Sequence, residues 1–226
     1  MVSVDAPASD PAITAAGGTT TPMTPAFEDG RHIVIHREQV WGWDYLLKEF
    51  GSQVFPVGGG GGVSVFWPRP PYQDGVSGIR TTEPGQKVVY QGQDLLDLPA
   101  HYGGRNLPDV SLNADPFSGY LLYSTPDGGL LNGFGGTSFV APQLNGVTAL
   151  LGQVARGRLG LMNPMLYRDQ QSSRVLSPLV DIRGGDNWFY SGVAGYEPGA
   201  GLGVLDVANL AAAVAREAWF TSTTRH

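Results

Sequence analysis

Apolar residues recur at three- and four-residue steps from Val140 through Leu144, Val147, Leu150 and Leu151 to Val154, the period of a helix with one buried stripe. Pro142 is expected in its first turn, where a missing N–H costs nothing, and Gly152 and Gly157 mark its end. Ala141, Gly146 and Ala149 keep another face thin, which predicts that the helix lies against a sheet or a second helix. Other patterns are shorter. Residues 13–16 read as a strand running into a turn at Gly17-Gly18-Thr19, and residues 31–36 alternate polar and apolar as a half-exposed strand does. Further strands are expected at residues 87–90, just after Asp109, and at residues 120–123, with a turn at Asp127-Gly128-Gly129. Asn163 starts a helix of about two turns. Residues 207–220 close the chain as an alanine-rich helix, and residues 221–226 are expected to fray.

At 226 residues, 42% hydrophobic and 15% charged, the chain can build one substantial core or part of a larger one. Its 33 glycines and 17 prolines imply many sharp turns in a folded, loop-rich protein. A net charge of −6 with scattered basic residues excludes a nucleic-acid groove. The sequence pI near 5.1 suits an acidic medium. Without cysteines there are neither disulfides nor thiolate metal sites. No apolar run approaches the roughly 18 residues that span a bilayer, so no membrane partner is expected. The opening Met1-Val2-Ser3-Val4-Asp5 lacks the parts of a signal peptide, which leaves a cytosolic protein or one whose natural start lies upstream.

Candidate chemistry centres on Gly135-Gly136-Thr137-Ser138-Phe139-Val140-Ala141-Pro142, where two glycines deliver a hydroxyl to the mouth of the long helix. Ser138 is there either a helix N-cap or a nucleophile. The run Gly58-Gly59-Gly60-Gly61-Gly62-Val63-Ser64 lacks the Gly-Lys-Ser/Thr ending of a phosphate loop. Followed by Phe66-Trp67-Pro68, it reads as an extended edge that pairs with a peptide. Trp41, Trp43, Tyr45 and Phe50 line a groove or pack a hairpin. Asp115 precedes a proline and reads as a turn former, whereas Asp109 has no such explanation. His32 and His36 read as solvent-facing strand positions. Asp181 and Glu197 lie in glycine-rich turns that suit a hard cation or are ordinary turns, and composition does not separate the two.

Taken in order, these stretches resemble the sedolisin family of acid serine-carboxyl peptidases. The resemblance rests on Pro7-Ala8-Ser9, Ala16-Gly17-Gly18-Thr19, the Glu38 to Trp41 segment, the glycine run through Ser64 and Pro71-Tyr72-Gln73. It continues through Pro108-Asp109-Val110-Ser111, Ala114-Asp115-Pro116 with Gly119-Tyr120, the serine segment, Asp181-Ile182 and Gly195-Tyr196-Glu197. Phe139 stands where the family usually has alanine. The resemblance implies an α/β, subtilisin-like parallel sheet flanked by helices and incomplete on its N-terminal side. It implies Ser138 as nucleophile, Asp109 as oxyanion donor, Gly58 to Gly62 with Ser64 as substrate-binding residues, and secretion. It further implies a Ca²⁺ site built from the Asp181 side chain, the carbonyls of Ile182, Val193 and Gly195, and Glu197 in place of the family's aspartate.

The family's general base is a glutamate with an aspartate one helical turn away, and both belong to a segment upstream of residue 1. The chain then reads as one partial catalytic domain over residues 1–226. Residues 1–134 hold strands, groove and oxyanion segment, 135–178 the nucleophile helix region, and 179–226 the calcium loop and closing helix. The expected function is peptide-bond cleavage at acidic pH through an acyl-enzyme, with the missing N-terminal part and a propeptide as partners. The alternative is an inactive remnant that binds peptide or calcium. A true subtilisin reading fails because none of His32, His36, His101 and His226 sits in a histidine motif.

Overall fold

The computed structural model describes residues 4–171 and 177–223. Its first half contains β1 (Ala16–Thr20), β2 (Gln39–Val40), α1 (Asp44–Phe50), β3 (Gly62–Pro68), β4 (Lys87–Tyr90), β5 (Gln93–Asp97), β6 (Gly104–Leu107) and β7 (Val110–Asn113). There follow β8 (Tyr120–Ser124), β9 (Gly129–Phe134), α2 (Thr137–Ala155), α3 (Asn163–Gln171), β10 (Leu179–Val180), β11 (Val204–Leu205) and α4 (Val207–Thr223).

The main sheet has the order β10-β11-β7-β1-β2. Its centre is parallel: β1 runs beside β7 with Ala16 opposite Val110 and Thr19 opposite Asn113, and β11 joins β7 on the other side. The two outer pairings are antiparallel. Three two-stranded units, β3 with β6, β4 with β5 and β8 with β9, stand apart from it. The fold is the expected mixed α/β, subtilisin-like one.

α2 covers the central strands and packs on α4. Val140, Leu144 and Leu151 are buried against Val110, Ala114, Leu210 and Val214. Each such side chain contributes about 1.5–3 kcal/mol when fully withdrawn from water. This stripe holds α2 rigidly enough to position its first turn.

Several local expectations shift. Gly17 and Gly18 lie inside β1 rather than in a turn after residues 13–16, because the strand passes so close to Pro108 and Trp41 that a Cβ would collide with them. Residues 31–36 form isolated bridges, Met23 with Ile35 and Ala26 with His32, instead of a strand. His32 and His36 are exposed. The aromatic segment around Trp41 is core: Trp41 and Tyr45 are buried, and α1 begins at Asp44. β5, a strand that the residue pattern did not predict, pairs with β4. Pro142 sits in the second turn of α2, where it removes the bond that the Ser138 carbonyl would accept. The thin face of Ala141, Gly146 and Ala149 is exposed. α4 reaches Thr223, and residues 224–226 of the expected frayed end lie outside the described residues.

Candidate active site

Ser138 occupies the first turn of α2 and is exposed. The N-cap is Gly136, at φ 97, and no side chain caps the helix. Such a φ is open to glycine and strained for other residues. Gly136 N–H donates to the Ala114 carbonyl just beyond β7 at 2.5 Å, which docks the turn against the end of that strand. The capping reading of Ser138 therefore fails, and among the described residues nothing hydrogen-bonds its hydroxyl. Phe139 stacks on Tyr120, with ring centroids 5.2 Å apart and planes 8° from parallel, and Phe134 lies 6.2 Å from it. Gln143 Nε2 donates to the Phe139 carbonyl and the Tyr120 hydroxyl, and that hydroxyl donates to the Asn113 carbonyl. Aromatic packing thus locks the hairpin β8–β9 to the serine turn.

Thr137, the neighbour of Ser138, lines an open notch of about 550 Å³ together with Gly60, Gly61, Ala15, Ala16, Leu107 and Pro108, and Val4, Asp5 and Ala8 complete its wall. The glycine run and the serine turn therefore share one depression. Most of the run is nonetheless used for packing. Gly58 bridges Gly42, Gly59 N–H donates to the Trp41 carbonyl, and the Gly59 carbonyl accepts from Asn187 Nδ2. A Cβ on Gly61 would run into the Pro198 carbonyl, and Gly62 pairs with Leu107. Gly60 alone of the run is exposed, and a Cβ there would meet no other group. Ser64 is buried, and its hydroxyl accepts from the amides of Phe66 and Trp67 at a break in β3. A free peptide-pairing edge over the whole run is thus replaced by backbone contacts within the fold, and Ser64 is buried with its hydroxyl on neighbouring amides.

Asp109 stands just before β7, whereas the serine turn is docked just after it. Its carboxylate is wholly buried and accepts five hydrogen bonds. Arg105 donates through Nη1 to Oδ1 at 3.1 Å and through Nη2 to Oδ2 at 2.7 Å. Ala15 N–H donates at 2.6 Å, Tyr167 at 2.9 Å and Asn163 Nδ2 at 3.3 Å. Burial, and then this carboxylate, push the Tyr167 hydroxyl well above its ordinary pKa, which keeps it a donor. An oxyanion donor needs a carboxyl proton facing the substrate, and here donors crowd both oxygens with no solvent path. This arrangement does not fit the oxyanion role expected of Asp109. The residues missed by sequence reasoning are its partners, Arg105, Asn163 and Tyr167. Their one signal was an arginine four positions before an aspartate.

Asp115, read as a turn former, does cap the turn by accepting from Phe117 N–H, and it also gathers Thr20, Trp43 and Tyr45. It lies beside Ala114, which anchors Gly136, so it stiffens the floor under Ser138.

Of the expected calcium ligands, the two carboxylates lie in one loop region and face hydrogen-bond donors. Asp181 Oδ2 accepts from Arg183 Nε at 2.6 Å, and Oδ1 accepts from Gly195 N–H at 3.1 Å. Glu197 is buried, with Oε2 on Gly199 N–H at 2.6 Å and Oε1 on Ala200 N–H at 2.7 Å. Ca²⁺ takes six to eight oxygens. Two carboxylates already engaged by donors do not offer that shell, and the described residues contain no group of three or more acidic, histidine or cysteine side chains able to hold a metal.

No family model matches the chain. It is 32% identical over 210 residues to kumamolisin from Bacillus sp. (strain MN-32), covering 88% of this chain. It is 31% identical over 216 residues to sedolisin from Pseudomonas sp. (strain 101), covering 93% of it. In each case it spans 30% of the relative's length. Pseudomonas sedolisin, a serine-carboxyl proteinase solved with two molecules of pseudo-iodotyrostatin, superposes with a TM-score of 0.66 at 28% identity, covering 94% of this chain and 49% of that one. Similarity in sequence and fold along nearly all of these residues shows that the chain belongs to the sedolisin family.

Proposed function

We propose that this chain supplies the nucleophile-bearing part of a serine-carboxyl endopeptidase. The observation that carries the reading is Ser138: exposed, without a side-chain hydrogen bond among the described residues, on the first turn of a helix with one buried stripe, beside an open notch. Attack by a serine hydroxyl on a peptide carbonyl forms an acyl-enzyme and requires a base to accept the proton. The base comes from outside the described residues, as the family's glutamate does. The free N–H groups of the first turn, at the positive end of the helix dipole, supply donors for the developing oxyanion in place of Asp109. Peptide enters along the notch, where Gly60 leaves the backbone accessible.

The expected substrates are peptides or proteins at acidic pH, and the expected partners are the rest of the catalytic unit and a propeptide. The family resemblance is what supports secretion. Among the described residues no helix is long and apolar enough to cross a membrane. A second reading, a peptide-binding remnant without turnover, is favoured for the isolated chain because among the described residues neither carboxylate nor histidine is hydrogen-bonded to Ser138.

The test is Ser138→Ala in the complete protein, assayed for peptide cleavage with the fold checked by circular dichroism. Activity is expected to vanish while the spectrum is unchanged. Residual turnover within tenfold of the parent, about 1.4 kcal/mol in barrier, removes Ser138 from the nucleophile role. A complete protein with no activity before mutation selects the remnant.

A further inference from the structure

Two carboxylates in a glycine-rich turn region present a cation with hydrogen-bond donors rather than with open oxygens. At Asp181 one oxygen faces the Arg183 guanidinium and the other an amide. At Glu197 each oxygen takes a separate backbone amide, from Gly199 and from Ala200. The main chain of Glu197 exchanges two further hydrogen bonds with Gly201, N–H to carbonyl at 3.2 Å and the reverse at 2.7 Å. The turn is also tied inward without any ion: Ser111 donates to the Ala200 carbonyl, Leu202 N–H donates to the Asp109 carbonyl, and Ile182, Ala200 and Val40 form a small buried cluster.

We propose that Glu197 and Arg183 hold this region in place of a divalent cation, so that the order of this loop region is independent of calcium. The cause is side-chain length. Glutamate reaches back one methylene further than aspartate, far enough to cover the two amides that open after Pro198. Both oxygens are so engaged and buried, each on its own backbone amide. The Arg183 guanidinium supplies positive charge at Asp181, and it does so without the geometric demands of a metal ion. The loop backbone is held by hydrogen bonds and apolar contacts among the chain's own residues.

The experiment is thermal unfolding of the chain at mildly alkaline pH, in millimolar calcium chloride and in excess chelator, alongside Glu197→Asp and Asp181→Asn. The two wild-type melting temperatures are expected to agree within about 1 °C, since a ligand that does not bind the folded state does not stabilise it. Glu197→Asp cannot reach both amides and is expected to melt several degrees lower in chelator. A wild-type rise of about 3 °C or more with calcium that disappears in Asp181→Asn overturns the proposal. So does a Glu197→Asp protein that melts with the wild type in chelator. A calcium-dependent rise retained in Asp181→Asn places the ion elsewhere and leaves the proposal standing.

Discussion

Arg105 and Asp109 form a bidentate pair with both side chains fully buried, guanidinium nitrogens 2.7 and 3.1 Å from the carboxylate oxygens. The pair spans the turn between β6 and β7, and its other bonds reach the start of β1 and two residues of α3. Removing one partner strands a buried charge, a loss of about 3–5 kcal/mol. Asp109→Ala is therefore expected to lower unfolding stability by that amount in urea titration. The double variant Arg105→Met with Asp109→Leu is expected to lose less than the single one, because no charge is left unpaired. An Asp109→Ala protein of unchanged stability, with a complete enzyme slowed about 10²-fold in kcat, would restore the oxyanion role.

Leu150 and Leu151 separate what periodicity alone merges. Leu151 is fully buried, while Leu150 is 58% exposed. Leu151→Ala in this chain is expected to cost about 2–5 kcal/mol, and Leu150→Ala to stay within about 0.5 kcal/mol of the parent. Equal losses in denaturant titration would mean that α2 presents a different face to the core.

The helix was legible because its apolar period is long and its ends carry turn chemistry. The parallel centre was not, since β1 is built of Ala16, Gly17, Gly18 and two threonines. Its identity as a strand comes from close approach to Pro108 and Trp41, which are distant in sequence. β5 has the same difficulty from the other side: Gln93-Asp94-Leu95-Leu96-Asp97 has no β-branched residue, and every one of its positions is exposed. At the candidate site, Ser138 was legible from Gly135-Gly136 and the helix behind it. The turn role of Asp115 was legible from the proline that follows it; the role of Asp109 was not, because an aspartate before a strand reads alike whether it faces a substrate or a buried arginine. Only the arrival of Arg105, Asn163 and Tyr167 decides between the two.

Phe139 offers a test of how the serine turn is held. Its stacking on Tyr120 and contact with Phe134 join α2 to the hairpin β8–β9. Aromatic pairs contribute about 0.5–1.5 kcal/mol beyond the area they bury, so Phe139→Ala is expected to cost about 1–3 kcal/mol. Limited proteolysis is expected to cut within residues 120–134 faster than in the parent. An unchanged cleavage rate there would show that the hairpin does not depend on this stack.

Glu197 gives stability a pH dependence of definite sign. Burial raises its pKa from 4.5 to about 7, against the pull of the Gly199 and Ala200 amides. The folded state then binds a proton that the unfolded state releases between these values, so this group favours folding as pH falls. Its contribution is fully present below the unfolded value and is lost as pH rises through about 7. At one pKa unit per 1.36 kcal/mol, the difference across the window is at most about 3 kcal/mol. Burial also raises the pKa of Glu38, despite a hydroxyl bond from Thr19, and adds a dependence of the same sign. In chelator-containing buffer the unfolding free energy of the parent is expected to decline from pH 4.5 to 7. Glu197→Gln is expected to show a shallower decline, with a constant loss of about 1 kcal/mol because one amide gives up its acceptor. Parallel curves for the two proteins would mean that the carboxylate titrates as an ordinary one, and that its two backbone bonds balance its burial.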